Sequence, residues 1–182
     1  MNKKFEIRLS GSGGQGVILA AIIIADAAIE QGLNAIQTQS YGPEARGGAS
    51  KAEVIISNDN INYPKIIDAN ILLSLTQNSY EKYIESLDKD GILIVDDHIK
   101  LTADKPLKVY SLPILRSSHE KFETNMVANI ISIGAIYALL GEDTIDKDIM
   151  IGSITERVPP VTIQKNIDAF EEGIKLVRGY YE

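Results

Sequence analysis

The chain alternates between short strand-like segments and longer helix-like segments. Residues 5–9 alternate apolar and polar side chains with period two, which predicts a strand. Two later runs of Ile, Leu and Val have the composition of strands covered on both faces. Pro113 ends a weaker candidate at 109–112. In chain order, the six predicted strands cover residues 5–9, 34–39, 52–56, 70–75, 92–95 and 109–112.

Helical patterns lie between and after these strands. A nearly continuous apolar segment predicts a helix over 15–30 that is covered on most sides, with Gly32 as its left-handed cap. Tyr80, Tyr83, Ile84 and Leu87 recur at i, i+3, i+4 and i+7, which predicts an amphipathic helix that ends before Gly91. The last third is predicted to form three helices, over residues 124–140, 145–157 and 162–180.

A βαβ crossover between the two apolar strands predicts an α/β fold. We expect a Rossmann-like three-layer domain with a parallel or mixed sheet and a helical C-terminal extension. With 182 residues and neither a repeat nor a low-complexity linker, the sequence predicts a single domain over residues 1–182.

Composition excludes several classes of function. The formal net charge is −7 and no basic stripe interrupts it, which disfavours nucleic acid as a partner. The chain has no cysteine and two histidines, so it offers no thiolate nucleophile and no ligands for an iron–sulfur cluster. The apolar stretches 17–25 and 124–141 are interpreted as core helices, so we expect no membrane contact. A reducing cytoplasm suits a chain without cysteine.

A glycine-rich turn directly follows the first strand. It reads Gly11, Ser12, Gly13, Gly14, Gln15 and Gly16, which matches G-x-G-x-x-G at the start of a helix. Glycines there permit positive φ and let a ligand approach backbone N–H groups at the helix N-terminus. The turn is therefore a candidate surface of backbone donors.

Three interpretations of this turn stay open. A dinucleotide site would need an acidic residue at the end of the second strand, where the chain has Gln37 and Gln39. A purely structural turn would let strand and helix pack closely. The third possibility is contact with a phosphate, a substrate tail or the backbone of a partner.

A second unusual loop follows the second strand. It contains Tyr41, Gly42, Pro43, Glu44, Ala45, Arg46, Gly47 and Gly48, so glycine steps and a rigid proline carry an acid and a base. At the carboxyl edge of a parallel sheet, we expect this loop to lie beside the glycine turn. An ordinary surface turn with a solvated ion pair is the alternative.

Together the two loops carry a family resemblance. Residues 11–17, residues 40–48 and Ser50-Lys51-Ala52-Glu53-Val54 resemble the gamma subunit of the 2-oxoacid:ferredoxin oxidoreductases, especially the 2-oxoglutarate type. Thr124-Asn125-Met126-Val127-Ala128-Asn129 matches a later pattern of the same family, so the resemblance extends over nearly the whole chain.

The resemblance implies one part of an enzyme complex in which this chain has no catalytic residue. Such a complex oxidatively decarboxylates a 2-oxoacid, passes electrons through iron–sulfur clusters to ferredoxin and forms a coenzyme A thioester. Thiamine diphosphate, Mg²⁺ and the clusters are expected on alpha, beta and ferredoxin-like delta subunits. The chain itself lacks both cysteine and the Gly-Asp-Gly stretch with a following Asn that holds Mg²⁺ and diphosphate in thiamine enzymes.

Within that complex, the loops are the predicted binding surfaces. The glycine turn would offer backbone donors, Arg46 would contact a carboxylate or phosphate, and Glu44 would orient Arg46. Pyruvate, a branched-chain 2-oxoacid or indolepyruvate are alternative substrates. The rival function is a stand-alone Rossmann-like module that binds a nucleotide or an acidic metabolite.

Two further features have both a functional and a structural interpretation. His98 follows Asp96 and Asp97 after a strand, where it could form a carboxylate–imidazole pair, although an exposed loop histidine is the favoured interpretation. No metal site is predicted there. The small residues of segment 124–140 favour packing within the chain over a subunit interface.

Overall fold

The computed structural model of the chain describes residues 4–40, 48–102 and 108–181. Six strands form one sheet: β1 (Lys4–Ser12), β2 (Asn34–Ser40), β3 (Ala49–Ser57), β4 (Ala69–Ser74), β5 (Leu87–Asp96) and β6 (Lys108–Leu112). The helices are α1 (Val17–Glu30), α2 (Gln77–Tyr83), α3 (Ile114–Phe122), α4 (Ala128–Leu140), α5 (Lys147–Arg157) and α6 (Ile163–Arg178). Short 3₁₀ turns cover Ile84–Ser86, Pro160–Thr162 and Gly179–Tyr181.

The sheet is mixed, with strand order β2-β3-β1-β4-β5-β6. Strand β3 runs antiparallel to both of its neighbours, β1 and β2, whereas β1, β4, β5 and β6 are parallel to one another. The expected parallel or mixed sheet is therefore confirmed in its mixed form.

Alternating residues of the central strands face opposite sides of the sheet and enter separate cores, which makes the domain three layers thick. On one face, Leu9 and Leu73 belong to the main core together with α1, α4 and α6. On the other face, Leu72 and Leu93 pack with Tyr80 of α2 in a smaller core. The C-terminal helices belong to the main core, so the predicted helical extension is an integral layer of the fold.

Helix α1 is covered on most sides, as its nearly continuous apolar sequence predicts, and most of its residues are buried. Gly32 has φ +87°, and the N–H of Leu33 donates to the carbonyl of Ala28 at 2.9 Å. This is the left-handed cap that the sequence predicts, since glycine takes positive φ without the steric cost of a Cβ.

The predicted amphipathic helix between β4 and β5 is wrong at its C-terminal end. Helix α2 begins at a capping box between Thr76 and Ser79 and ends at Tyr83, while Leu87 already starts β5. Tyr80, Ile84 and Leu87 nevertheless share one core. Helical periodicity arose here because a helix, a 3₁₀ turn and a strand bury their apolar residues on the same side. Gly91 lies inside β5 instead of after a helix.

Helix α3 was not predicted, and the C-terminal helices are shorter than expected. Helix α4 begins at Ala128 instead of residue 124, and α6 ends at Arg178 before a 3₁₀ turn. In the described part of the chain, no helix is both long and apolar enough to cross a membrane.

Candidate functional site

The glycine turn lies between β1 and α1, as the sequence predicts, but its first two residues, Gly11 and Ser12, still pair with β3 as part of β1. Gly14 has φ +88° and Gly16 has φ +72°, so both occupy backbone conformations that favour glycine. A Cβ on Gly16 would also lie 2.6 Å from the Nδ2 atom of Asn129 on α4. Gly16 therefore serves both the turn and the close approach of α4.

The side chain of Gln15 closes the turn from inside. Its Oε1 accepts the N–H of Ser12 at 2.7 Å, and a Cβ on Gly11 would lie 2.4 Å from that oxygen. The N–H of Ser12 is consequently used within the turn. Gly13, by contrast, is exposed, and a Cβ built on it would meet nothing within 4 Å. Its surface is open to a partner.

The start of α1 places backbone donors beside the turn. Gly16 is the N-cap and gives the helix no side-chain cap, and the first turn holds no acidic residue. The first N–H groups of a helix, here those of Val17, Ile18 and Leu19, have no partner within the helix. They are positioned to receive an acceptor from another molecule.

The ends of the second loop lie beside this turn because of strand pairing. Ser12 of β1 is opposite Ala49 of β3, and Ser40, which ends β2, is opposite Lys51. The ends of the loop are thus brought to the turn by the antiparallel strand β3 and not, as expected from the sequence, by neighbouring parallel strands. Gly48, half-buried, directly precedes β3. The other predicted site residues of this loop lie outside the described residues: Tyr41, Gly42, Pro43, Glu44, Arg46 and Gly47.

This arrangement differs from that of a dinucleotide-binding domain. Where such a domain has a parallel second strand with a carboxylate at its end, β1 here has the antiparallel strand β3. Ala49 and Ser50 of β3 lie beside the glycine turn, and neither carries a charge. The Oγ of Ser50 donates to the carbonyl of Gly11 at 3.3 Å.

An open depression of about 410 Å³ lies at the turn. Its described lining consists of Ser12, Gly13, Gly14, Gly16, Val17, Ile18, Leu19, Ile22 and Ser50. None of these described residues titrates, so they offer apolar surface and backbone donors. The described lining suits docking better than catalysis, and because it holds no cation, these residues alone would not favour a phosphate.

A buried ion network supports the site from the opposite face of the sheet. Arg8 and Glu53 are paired across β1 and β3, and the Arg8 Nε donates to Glu53 Oε1 at 2.7 Å. Lys51 Nζ donates to the same oxygen at 2.9 Å. Burial alone would raise the pKa of Glu53, but the hydrogen bonds and charges of Lys51 and Arg8 outweigh it and lower that pKa below its ordinary value.

Sequence reasoning missed this network. Arg8 occupies a polar position of an alternating strand, a pattern that ordinarily indicates a solvent-facing side chain. Its side chain is instead buried under α2, and its Nη2 donates to the carbonyl of Ile66 at 3.0 Å. Only the pairing of β1 with β3, which brings Glu53 opposite Arg8, could have revealed it.

The carboxylate–imidazole pair after β5 is present, and His98 is also the exposed loop histidine that the sequence favours. His98 Nδ1 contacts Asp96 Oδ1, and the histidine side chain is half exposed. The other oxygen of the buried Asp96 accepts the N–H of Leu115 at 2.6 Å. Asp96 therefore caps the N-terminus of α3. In the described part of the chain, no three His, Asp or Glu side chains are grouped to hold a metal ion.

A family model and a sequence relative both connect the chain with oxidoreductases that act on 2-oxoacids. The family model described as pyruvate ferredoxin/flavodoxin oxidoreductase matches residues 6–176. The 2-oxoglutarate synthase subunit KorC of Methanocaldococcus jannaschii is 42% identical over 177 residues, which are 95% of this chain and 94% of the relative.

Solved structures have the same fold. The gamma subunit of a keto/oxoacid ferredoxin oxidoreductase from Geobacter sulfurreducens superposes with a TM-score of 0.84 at 39% identity, covering 96% of this chain and 98% of that one. A 2-oxoglutarate:ferredoxin oxidoreductase from Magnetococcus marinus has a TM-score of 0.86 at 18% identity. That match covers 97% of this chain and 31% of the other, and it shows the fold alone.

Proposed function

This chain belongs to the pyruvate ferredoxin/flavodoxin oxidoreductase family, and we propose that it is the gamma subunit of a 2-oxoglutarate:ferredoxin oxidoreductase. In that reaction the C1 carboxylate of 2-oxoglutarate leaves as CO₂, and the remaining acyl group is joined to the sulfur of coenzyme A. The thiol proton is released, and two electrons pass to ferredoxin. The family match over 6–176 supports treating residues 1–182 as a single domain.

The substrate proposal rests on the named relatives. A KorC subunit of a 2-oxoglutarate synthase is 42% identical over 95% of this chain, which supports 2-oxoglutarate over pyruvate, a branched-chain 2-oxoacid or indolepyruvate. Turnover of the assembled complex with each of the four 2-oxoacids tests this assignment. We expect the largest kcat/KM for 2-oxoglutarate.

One structural observation carries the role of this subunit. The depression formed by the glycine turn and the first turns of α1 has no titratable side chain in its described lining. The chain also has no cysteine, so it supplies no thiolate ligand for an iron–sulfur cluster. The surface is suited to completing an assembly in which partner subunits hold the reactive groups.

The partners follow from the same reasoning. Thiamine diphosphate, Mg²⁺ and the iron–sulfur clusters belong to alpha, beta and ferredoxin-like delta subunits in this proposal, with coenzyme A as a co-substrate of the complex. Thiamine diphosphate would supply the carbanion chemistry of decarboxylation there. The cytoplasmic location expected from the sequence stays a prediction.

Each site residue is assigned a role within this docking surface. Gly13 and Gly14 leave space for a partner, while the N–H groups at the start of α1 donate to it. Arg46 contacts a carboxylate or phosphate and Glu44 orients it. Tyr41, Gly42, Pro43, Gly47 and Gly48 shape the loop that carries the two charges.

Reconstitution tests the proposal. Complexes purified with and without this chain are assayed for formation of succinyl-CoA and for reduction of ferredoxin. We expect turnover only when the chain is present, and no turnover by the chain alone. Full activity without the chain, or oxidation of 2-oxoglutarate by the isolated chain, would contradict the proposal.

A substitution at Gly13 tests whether the glycine turn is part of the docking surface. Gly13→Gln places a side chain in open space, so the variant should fold with an unchanged Tm but assemble at least tenfold more weakly with its partners. Gly152→Gln on α5 is the matched control, because a Cβ there also meets nothing within 4 Å. Equal assembly of the two variants would remove the turn from the interface.

Arg46 is tested separately. Replacing it with Ala should lower turnover or raise the KM for coenzyme A or the 2-oxoacid, because a charge-assisted contact is lost. Unchanged turnover and unchanged dependence on coenzyme A would exclude Arg46 from the site.

A further inference from the structure

Two unusually exposed apolar side chains mark one groove: Met126 lines it, and Val161 lies in sequence between the lining residues Pro159 and Thr162. Val161 is 94% exposed and Met126 is 85% exposed, the highest values among the large hydrophobic residues of the described chain. Met126 precedes α4, and Val161 lies in the turn that precedes α6. The groove between these segments has a volume of about 280 Å³, enough for one or two side chains of another molecule.

The groove has apolar walls and a side-chain acceptor, Asn166 Oδ1, to which no described residue donates. Its apolar described lining comprises Leu19, Met126, Val127, Ile130, Val158 and Pro159. Asn166 also lines it and is 6% exposed. Its Nδ2 donates to the carbonyl of Thr162 at 2.8 Å, whereas its Oδ1 accepts from no described residue. That oxygen can receive an N–H from a bound segment.

The charge at the rim is positive although the whole chain is acidic. Lys165 and Arg157 line the groove, and no described lining residue is acidic. Arg157 is paired with Asp26 at 2.5 Å. Lys165 is exposed, and its Nζ donates to the carbonyl of Phe122 at 3.3 Å, so it meets no carboxylate among the described residues. A partner carboxylate would complement it.

The groove is continuous with the depression at the glycine turn. Leu19 lines both, and Asn129, which lines the groove, donates to the carbonyl of Gly16 at 3.5 Å. An interface formed at the glycine turn would therefore extend into the groove.

We propose that this groove, called here the Met126 groove, binds an extended segment of a partner subunit of the complex. The segment would insert an apolar side chain between Met126 and Val161, donate a backbone N–H to Asn166 Oδ1 and pair a carboxylate with Lys165. The inference rests on the proposed function because it names a second contact of the same assembly.

Other occupants fit the observations less well. A second copy of this chain, paired symmetrically through the groove, would place the same described lining opposite itself and so would bring no lining carboxylate to Lys165. A small molecule inside the groove would leave the protruding Val161 exposed to water. A polypeptide segment covers both the cavity and its apolar rim.

Substitution and crosslinking in the reconstituted complex test the inference. Met126→Glu and Lys165→Glu change exposed side chains, so both variants should keep the wild-type Tm while the Kd for the partner subunits rises about tenfold or more. Ile67→Glu is the matched control, since Ile67 is 70% exposed and does not line the groove. It should bind like wild type.

A photoreactive amino acid at position 126 identifies the occupant. We expect crosslinks to one extended segment of a partner subunit. If that segment has a carboxylate that pairs with Lys165, changing it to Lys should restore the affinity of the Lys165→Glu variant. Crosslinks only to a second copy, wild-type affinity of both groove variants, or an equal loss with Ile67→Glu would overturn the inference. If wild type assembles and turns over, those results leave the proposed function standing. If wild type itself fails to assemble, both proposals fail.

Discussion

Gly134 of α4 and Gly173 of α6 lie against each other at backbone distance. A Cβ added to Gly173 would lie 2.9 Å from Gly134 Cα and 2.0 Å from the carbonyl oxygen of Ile131. A Cβ on Gly134 would lie 2.0 Å from the carbonyl oxygen of Phe170. The small residues of α4 therefore serve packing within the chain, as the sequence favours, and the buried interface is between two helices of one subunit.

Gly173→Ala should destabilise the protein by about 3 kcal/mol, because the methyl group meets backbone atoms that cannot rotate away and the helices must separate. Urea unfolding measures the change. Gly152→Ala on α5 is the control: it meets open space and should stabilise by up to about 1 kcal/mol, since alanine is the better helix former. Equal stability of the two variants would contradict the close packing.

Glu53 should make stability depend on pH. Its pKa is lower in the folded state than in the unfolded chain, so its contribution is complete above the ordinary value of 4.5 and is lost as pH falls through the folded pKa. Glu53→Gln should lose about 3–5 kcal/mol at neutral pH, because Arg8 remains buried without its partner.

The comparison of pH profiles is the decisive measurement for Glu53. The free energy of unfolding of Glu53→Gln should vary less below pH 4.5 than that of wild type. The double variant Arg8→Met with Glu53→Leu should recover part of the loss, since it removes both buried charges. Parallel profiles of wild type and Glu53→Gln would show that Glu53 titrates normally.

Tyr137 is buried against Phe170, and its hydroxyl has no hydrogen-bond partner among the described residues. Tyr137→Phe should therefore leave stability unchanged or raise it by about 1 kcal/mol. Burial, with the nearby carboxylates of Glu142 and Asp146, raises the pKa of Tyr137 to about 12.

The raised pKa gives Tyr137 a second test at high pH. The unfolded chain releases this proton near pH 10 and the folded protein only near pH 12, so stability should fall between those values. The difference between wild type and Tyr137→Phe, measured by urea unfolding, isolates this residue from other groups. A constant difference across that range would rule out the shift.

Asp96, at the end of β5, should stabilise the N-terminus of α3 by accepting the N–H of Leu115. Asp96→Ala removes the acceptor of the Leu115 N–H and should cost about 1–3 kcal/mol. Asp96→Asn keeps an acceptor and should cost less. His98→Ala, which changes a half-exposed partner, should cost under about 1 kcal/mol. A larger loss for His98→Ala than for Asp96→Ala would contradict the capping role.

Features set by neighbouring residues were predictable. The strand before the glycine turn, the helix after it and the left-handed cap at Gly32 follow from local periodicity and backbone preference. Where local preference and burial diverged, prediction failed: Ile84 and Leu87 continue a helical spacing, yet they lie in a 3₁₀ turn and a strand because each structure presents them to the same core.

The candidate site shows the same division. The sequence by itself identified the glycine turn, the residues of the second loop and the absence of cysteine ligands, because these depend only on residue identity and local backbone geometry. Only the tertiary structure decided that β3 lies antiparallel beside β1, that Arg8 meets Glu53, and that Leu19 joins the turn to the Met126 groove. Those relationships are contacts between residues far apart in the chain, and they form only when the strands pair in one register and the helices pack over them.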